Sequence, residues 1–143
     1  MSNSSIVCVD ANVVIRFVFS VNKPIQTLWE KWISQSTRLV APTLLYYEIA
    51  NSLYQYEKHG QLSHEIIRDV LDVALALPIE LIGDADLHRC AAYLASHYHL
   101  PAAYDAHYLA LAERLNAELW TTDERLVSAV KSGKLEWVKL ASV

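Results

Sequence analysis

Glycine is scarce in this sequence, with three in 143 residues, and there are only four prolines and two cysteines. No glycine-rich phosphate loop can be built from so few glycines, which excludes the nucleotide-binding motifs that cradle phosphate on bare backbone amides. The same scarcity leaves no linker, and no internal repeat, low-complexity tract or domain boundary interrupts the chain. One domain spanning residues 1–143 is therefore expected. Cys8 and Cys90 lie far apart in sequence, so zinc ribbons and Cys-x-x-Cys redox motifs are excluded. Cys8, inside an apolar run, reads as a buried and inert thiol. A disulfide between the two stays open, but nothing points to export. No apolar run is long enough to span a bilayer. The stretch Met1 to Ser5 lacks the basic region and long apolar segment of a signal peptide, so the expectation is a cytoplasmic protein.

Positive charge is also in short supply. Twelve Lys and Arg face sixteen Asp and Glu, a formal net charge of −4. A nucleic-acid binder is usually basic, although net charge does not set the local field. A few acids gathered around a cation would account for the sign. What the chain does have is apolar residues, 53% against 20% charged, the balance of a well-buried globule.

Strands and helices alternate along the chain. Ile6 to Val9 is a short, continuously apolar, β-branched run that suits a strand buried on both faces. Helices are expected over Asn12 to Phe19, after Pro24 with Leu28, Trp29, Trp32 and Ile33 as its apolar stripe, and over Thr43 to Lys58. Further helices are expected from Ser63 to Pro78, from Asp84 to about His97, over Tyr104 to Leu115, and over Asp123 to Val130. In the helix that Ser63 opens, Ile66, Ile67, Val70, Leu71, Ala74 and Leu75 are assigned inward. Strands are expected at Arg38 to Ala41, Glu80 to Ile82, Glu118 to Thr121 and, weakly, Leu135 to Leu140. This order predicts an α/β sandwich: a short parallel sheet with helices on both faces. In such folds the sites lie at the carboxyl ends of the strands.

Four carboxylates stand out against that frame. Asp10 closes the first strand, as either a site acid or a helix N-cap. Glu48 points between Leu44 and Leu45 at about 100° per residue, toward the apolar face of its helix. A carboxylate there is costly unless it is paired with an arginine or bound to metal. Asp105 opens a helix on the same face as Tyr108, Leu109 and Ala112, as a site acid or a first-turn acid favoured by the helix dipole. Asp123 follows a strand, beside a possible capping box of Thr121 and Glu124. Each has a structural explanation alone. Together they can converge on one sheet edge, where mutual repulsion calls for a hard divalent cation such as Mg²⁺ or Mn²⁺. Such a centre supports phosphodiester hydrolysis.

Four segments carry a family resemblance: Val9-Asp10-Ala11-Asn12, Tyr47-Glu48-Ile49-Ala50-Asn51-Ser52-Leu53, Tyr104-Asp105-Ala106-His107-Tyr108-Leu109-Ala110-Leu111-Ala112, and Thr121-Thr122-Asp123-Glu124-Arg125-Leu126. In this order they resemble the PIN (PilT N-terminal) domain, and within it the toxins of the virulence-associated protein C (VapC) group. The resemblance implies a PIN-like three-layer sandwich. It implies Asp10, Glu48, Asp105 and Asp123 as catalytic, metal-binding acids, with Asn12 and Thr121 as supporting hydrogen-bonding residues. It also implies an Mg²⁺- or Mn²⁺-dependent endoribonuclease, cutting by in-line attack of water to leave a 5′-phosphate and a 3′-hydroxyl. A small inhibitory antitoxin and a homodimer are its implied partners. Two alternatives remain: a PIN-like RNA- or protein-binding module with little turnover, and a metal-dependent DNA nuclease or phosphatase. A haloacid-dehalogenase-like phosphatase also starts from a strand-end Asp, but that chemistry wants a second Asp where Asn12 stands.

Other signals are set aside. His97 and His99 lie at a helix end beside Pro101 and read as surface residues, as do His64 and His88. His107 receives no catalytic role. Tyr46, Tyr47, Tyr54 and Tyr56 suit core or dimer packing better than base stacking. Arg16 is noted as a phosphate contact just beyond Asp10, and the remaining basic residues are too scattered to trace an RNA path.

Overall fold

The computed structural model describes residues 5–20 and 22–141. Apart from Ser5, the N-terminal residues on which the absence of a signal peptide was argued lie outside them.

Among the described residues the chain alternates strand and helix: β1 (Ile6–Val9), α1 (Ala11–Phe19), α2 (Lys23–Ser34), β2 (Arg38–Pro42), α3 (Leu44–Lys58), α4 (His64–Leu75), β3 (Ile79–Ile82), α5 (Ala85–His97), α6 (Tyr104–Leu115), β4 (Glu118–Thr121), α7 (Glu124–Ala129) and β5 (Val138–Leu140). The five strands form one parallel sheet in the order β3-β2-β1-β4-β5. The central strand β1 is buried from Val7 to Val9 because both sheet faces are covered. That burial is why its sequence is a continuous apolar run instead of an alternation.

The chain moves outward from β1 to β2 and β3, then returns to place β4 on the other side of β1. Right-handed crossovers therefore send the two groups of helices to opposite faces. On one face α1 touches α2, α3 and α4; on the other α5 packs on α6, which lies across β1, β2 and β4. The expected sandwich is present. Its direction of winding reverses between β1 and β4, where the carboxyl ends of adjacent strands leave a crevice.

Local chemistry sets the helix boundaries. Asp10, Asn22, Ser63, Asp84 and Asp123 each cap a helix by accepting a backbone N–H through the side chain. Left-handed Asn116, at φ 53°, ends α6. Helix α1 starts one residue before the expected Asn12, because Asp10 is its cap. The capping box of Thr121 and Glu124 is not formed; Thr121 stays in β4, and Asp123 caps α7. The weak final strand is half as long as expected, because the residues before it are spent on a turn. Lys134 is left-handed there, and Val138 N–H closes onto the Leu135 carbonyl.

The core assignments hold with three exceptions. Ile66 and Leu75 of α4 and Ile33 of α2 are exposed, each at the edge of its helix's apolar stripe. Trp29 and Trp32 of the expected stripe are buried with their rings tilted against each other, and Phe17 stacks on Trp29. Cys8 is buried and Cys90 exposed, and both thiols are free. Burial and the Asp10 charge push the Cys8 thiol well above its usual range, which keeps it protonated and inert. No helix among the described residues is long and apolar enough to cross a membrane.

Candidate metal centre

Asp10, Asn12, Glu48, Asp105 and Asp123 line a single small cleft of about 50 Å³, with Ala11 and Tyr108 completing its wall. It lies at the crevice between β1 and β4. Asp10 follows β1 directly and Asp123 stands two residues beyond the end of β4, while Glu48 reaches the cleft from α3 and Asp105 from the first turn of α6.

Hydrogen bonds fix most of these groups. Asp10 Oδ1 accepts the Val13 amide at 3.0 Å, and Oδ2 accepts the Thr121 hydroxyl. The same Thr121 oxygen accepts the Asp123 amide at 3.0 Å. One fully buried hydroxyl thus ties the ends of β1 and β4 together. Asp123 Oδ1 accepts from the Arg125 and Leu126 amides, at 2.9 and 3.3 Å. Asp10 thus caps a helix, as one of its two readings had it, and Asp123 caps α7 instead of standing in its first turn; both also line the cleft. Glu48 has no arginine partner among the described residues. Instead the Tyr108 hydroxyl donates to its Oε1 at 2.5 Å. Asn12 is exposed at the cleft.

Tyr108 was missed as a site residue. It had been placed on the inward face with Asp105, and the signal was available: a buried tyrosine hydroxyl needs a partner. The other histidines stay outside the cleft. His97, at the end of α5, stacks on Tyr93, and Arg16 sits in the last turn of α1 away from the cleft lining. His88 and His107 are bonded to each other, with 2.9 Å between Nδ1 and Nε2, a pairing that their separation in sequence concealed.

The acids are electrostatically uneasy. Burial pushes the Asp10 carboxyl up to about 6; the Thr121 and Val13 hydrogen bonds oppose this, and the charges of Asp105 and Glu48 add to it. Glu48 is raised by burial and by Asp105, against the pull of the Tyr108 hydroxyl. Asp105 is raised by burial and by the Asp123 charge. Burial and Glu48 together keep the Tyr108 phenol protonated, so it acts as a neutral donor.

Burial raises three carboxyls of one cleft and the charges of neighbouring acids add to the shift, so the cleft disfavours its own negative charge. Among the described residues no three such side chains close around a single point; the acids line the walls of the cleft instead. Their mutual repulsion, and the engagement of Asp10 and Glu48 by Thr121 and Tyr108, oppose a tighter cage. The donor set is all oxygen and the surplus charge is negative. It therefore fits a hard divalent cation and fits a soft metal poorly.

The PIN domain family model matches residues 7–131. The chain belongs to the PIN domain family. Ribonuclease VapC3 from Pyrobaculum aerophilum is 29% identical over 102 residues, 68% of this chain and 75% of that protein. The fold is similar to that of PAE2754 from Pyrobaculum aerophilum, with a TM-score of 0.67 at 22% identity over 90% of this chain and 87% of that one. It is similar to a toxin–antitoxin complex from Klebsiella pneumoniae, with a TM-score of 0.64 at 19% identity over 95% of this chain and 98% of that one. It is also similar to VapBC2 from Rickettsia felis bound to a DNA fragment from their promoter, with a TM-score of 0.68 at 14% identity over 94% of this chain and 96% of that one. The PIN fold explains why the acids come from four separate segments: each sits at or near the carboxyl-end crevice of one sheet.

Proposed function

We propose that this PIN-domain protein is a metal-dependent endoribonuclease, and that it is the toxin of a type II toxin–antitoxin pair. The observation that carries the reading is the convergence of Asp10, Glu48, Asp105 and Asp123 on one cleft, with three of the four held above their usual carboxyl range. The likeness to a protein named Ribonuclease VapC3, and in fold to toxin–antitoxin proteins, supports it. The residues form one PIN-like domain that works in the cytoplasm, as a homodimer restrained by a small antitoxin.

Asp10, Glu48, Asp105 and Asp123 would hold Mg²⁺ or Mn²⁺. Such an ion lowers the pKa of bound water and neutralises charge on the phosphate. The protein's own part is positioning. Thr121 holds the Asp10 carboxylate and the Asp123 backbone in register, so the acids from β1 and β4 face the same space. Tyr108 orients Glu48 by donating to Oε1. The exposed amide of Asn12 can hydrogen-bond a phosphate oxygen at the mouth. Hydrolysis adds water across one phosphodiester bond, leaving a 5′-phosphate and a 3′-hydroxyl.

The test is a substrate panel of single-stranded RNA, structured RNA, single-stranded DNA and a phosphomonoester, each with EDTA and with Mg²⁺ or Mn²⁺. Internal cleavage of RNA alone, abolished by EDTA and restored by the ion, is expected. Cleavage of DNA in preference to RNA would reassign the substrate. RNA binding without cleavage of any substrate would make the protein a binding module.

A further inference from the structure

Beside the acid cleft lies a second cavity, of about 270 Å³, that the proposed chemistry does not use. Its wall includes Leu44, Tyr47, Leu87, His88, Tyr104 and His107. Two helices line both spaces. Tyr47 precedes Glu48 on α3, and Tyr104 precedes Asp105 on α6, with His107 one turn further along the same helix. Whatever is bonded to a phosphate at the acids therefore has this cavity next to it.

We propose that the cavity is a subsite for one unpaired nucleobase of the RNA, flanking the bond that is cut. The inference rests on the ribonuclease reading and adds to it a determinant of where the chain is cut. Three features favour a base over other occupants. Tyr47 and Tyr104 are 76% and 63% exposed, which leaves their rings available for stacking, and every base has a face that stacks on an aromatic side chain. The lining is largely apolar and holds no carboxylate, so a base can approach without meeting the repulsion of the neighbouring acids. The cavity is at the small end of ligand pockets, which run from roughly 300 Å³ upward; that suits a flat ring better than a docked helix.

The polar part of the wall is fixed in place. His107 Nδ1 lies 2.7 Å from the Ala103 carbonyl. A carbonyl only accepts, so in the neutral ring Nδ1 carries the hydrogen and Nε2 is the acceptor. His88 Nδ1 must then donate to His107 Nε2 across their 2.9 Å contact. That leaves His88 Nε2 as an acceptor in a ring held by its neighbour. Directional acceptors of this kind read the N–H groups on a base edge, while the tyrosines hold its face.

The experiment is RNA binding, independent of turnover. Asp10→Asn protein is titrated in Mg²⁺ with a short single-stranded RNA and with the same RNA made abasic at each position in turn. The titrations are repeated with Tyr47→Ala/Tyr104→Ala and with His88→Ala added. One abasic position should weaken binding roughly five- to 150-fold, the range of a lost base stack. The double tyrosine variant should show the same loss with intact RNA and no further loss at that position. His88→Ala should retain most of the affinity but bind alike whichever base stands there. Equal sensitivity of parent and variant proteins to every abasic position would overturn the proposal. So would a change from dimer to monomer in the tyrosine variant, measured by sedimentation, with RNA affinity unaltered; the cavity would then seat a second copy of the chain. Metal-dependent cleavage by the wild-type protein is measured alongside, so loss of the subsite is distinguished from loss of the nuclease reading.

Discussion

Replacing Asp10 with asparagine should make the metal-free protein more stable at neutral and alkaline pH. Burial and neighbouring charge lift this carboxyl from 3.8 to about 6. About two units at roughly 1.4 kcal/mol each amount to about 3 kcal/mol against the charged form. A raised carboxyl pKa means that the fold holds the proton more tightly than the unfolded chain does. Stability is therefore undiminished below 3.8, declines as the pH rises, and has lost the whole contribution above about 6. Asparagine caps a helix as well as aspartate does, so the bond from the Val13 amide to Oδ1 survives. The Thr121 hydroxyl loses its acceptor, but the new amide can donate to the same oxygen, at a net cost of about 1 kcal/mol. The variant should gain about 2 kcal/mol at about pH 8 in EDTA, roughly 7 °C in Tm for a chain of this size. At about pH 4, where the wild-type carboxyl is largely protonated, only the cost of about 1 kcal/mol should remain and the variant should be the less stable. Divalent cation should reverse the order, because an ion at 100 times its Kd stabilises the wild type by about 2.7 kcal/mol and asparagine is a poor ligand for it. Thermal unfolding at both pH values, with EDTA and then millimolar Mg²⁺, measures all of this. A variant less stable than wild type in EDTA at about pH 8 would refute the claim that the Asp10 charge is strained.

Thr121→Val keeps the shape but removes the hydroxyl between Asp10 and the Asp123 amide. It should cost about 1–3 kcal/mol in urea unfolding and slow cleavage further by letting the acids drift. Tyr108→Phe takes the donor from Glu48, so the Glu48 carboxyl should rise further and the acidic limb of the pH–rate profile should move to higher pH; an unmoved limb would count against this role. Leu109→Ala, at a fully buried position of α6, should cost about 2–5 kcal/mol in urea unfolding. Because Leu109 does not line the cleft, the folded fraction should still cleave.

Strand positions were legible in the sequence because buried parallel strands are continuous apolar runs, as in Ile6 to Val9. Helices α3, α5 and α6 were legible to within a residue or two because their apolar spacing and end residues agree. What misled was local competition. The turn at Lys134 took residues from β5, and the outer positions of the α4 stripe had nothing to cover them. At the site, Asp10, Glu48, Asp105 and Asp123 were legible as acids in places where acids are costly. Their convergence on one cleft depends on the sheet order, which periodicity does not encode. The contacts from Tyr108 to Glu48 and from His88 to His107 were hidden for a related reason: each joins groups on different helices, and a sequence read one element at a time presents them as core and surface. Tyr47 and Tyr54 were assigned to core or dimer packing because tyrosine usually packs; both are exposed on the single chain, so neither belongs to its core.

The central claim is that the four acids form one metal-dependent ribonuclease centre. Its most direct test is cleavage of single-stranded RNA by the wild-type protein and by Asp10→Asn, Glu48→Gln, Asp105→Asn and Asp123→Asn, each confirmed as folded, across a titration of Mn²⁺. The account predicts internal cuts by the wild type that rise with Mn²⁺ and vanish in EDTA, with each variant at least about 100-fold slower, the scale of a lost metal-centre or electrostatic contact. Wild-type rates in any folded single variant, or cleavage indifferent to EDTA, would contradict it.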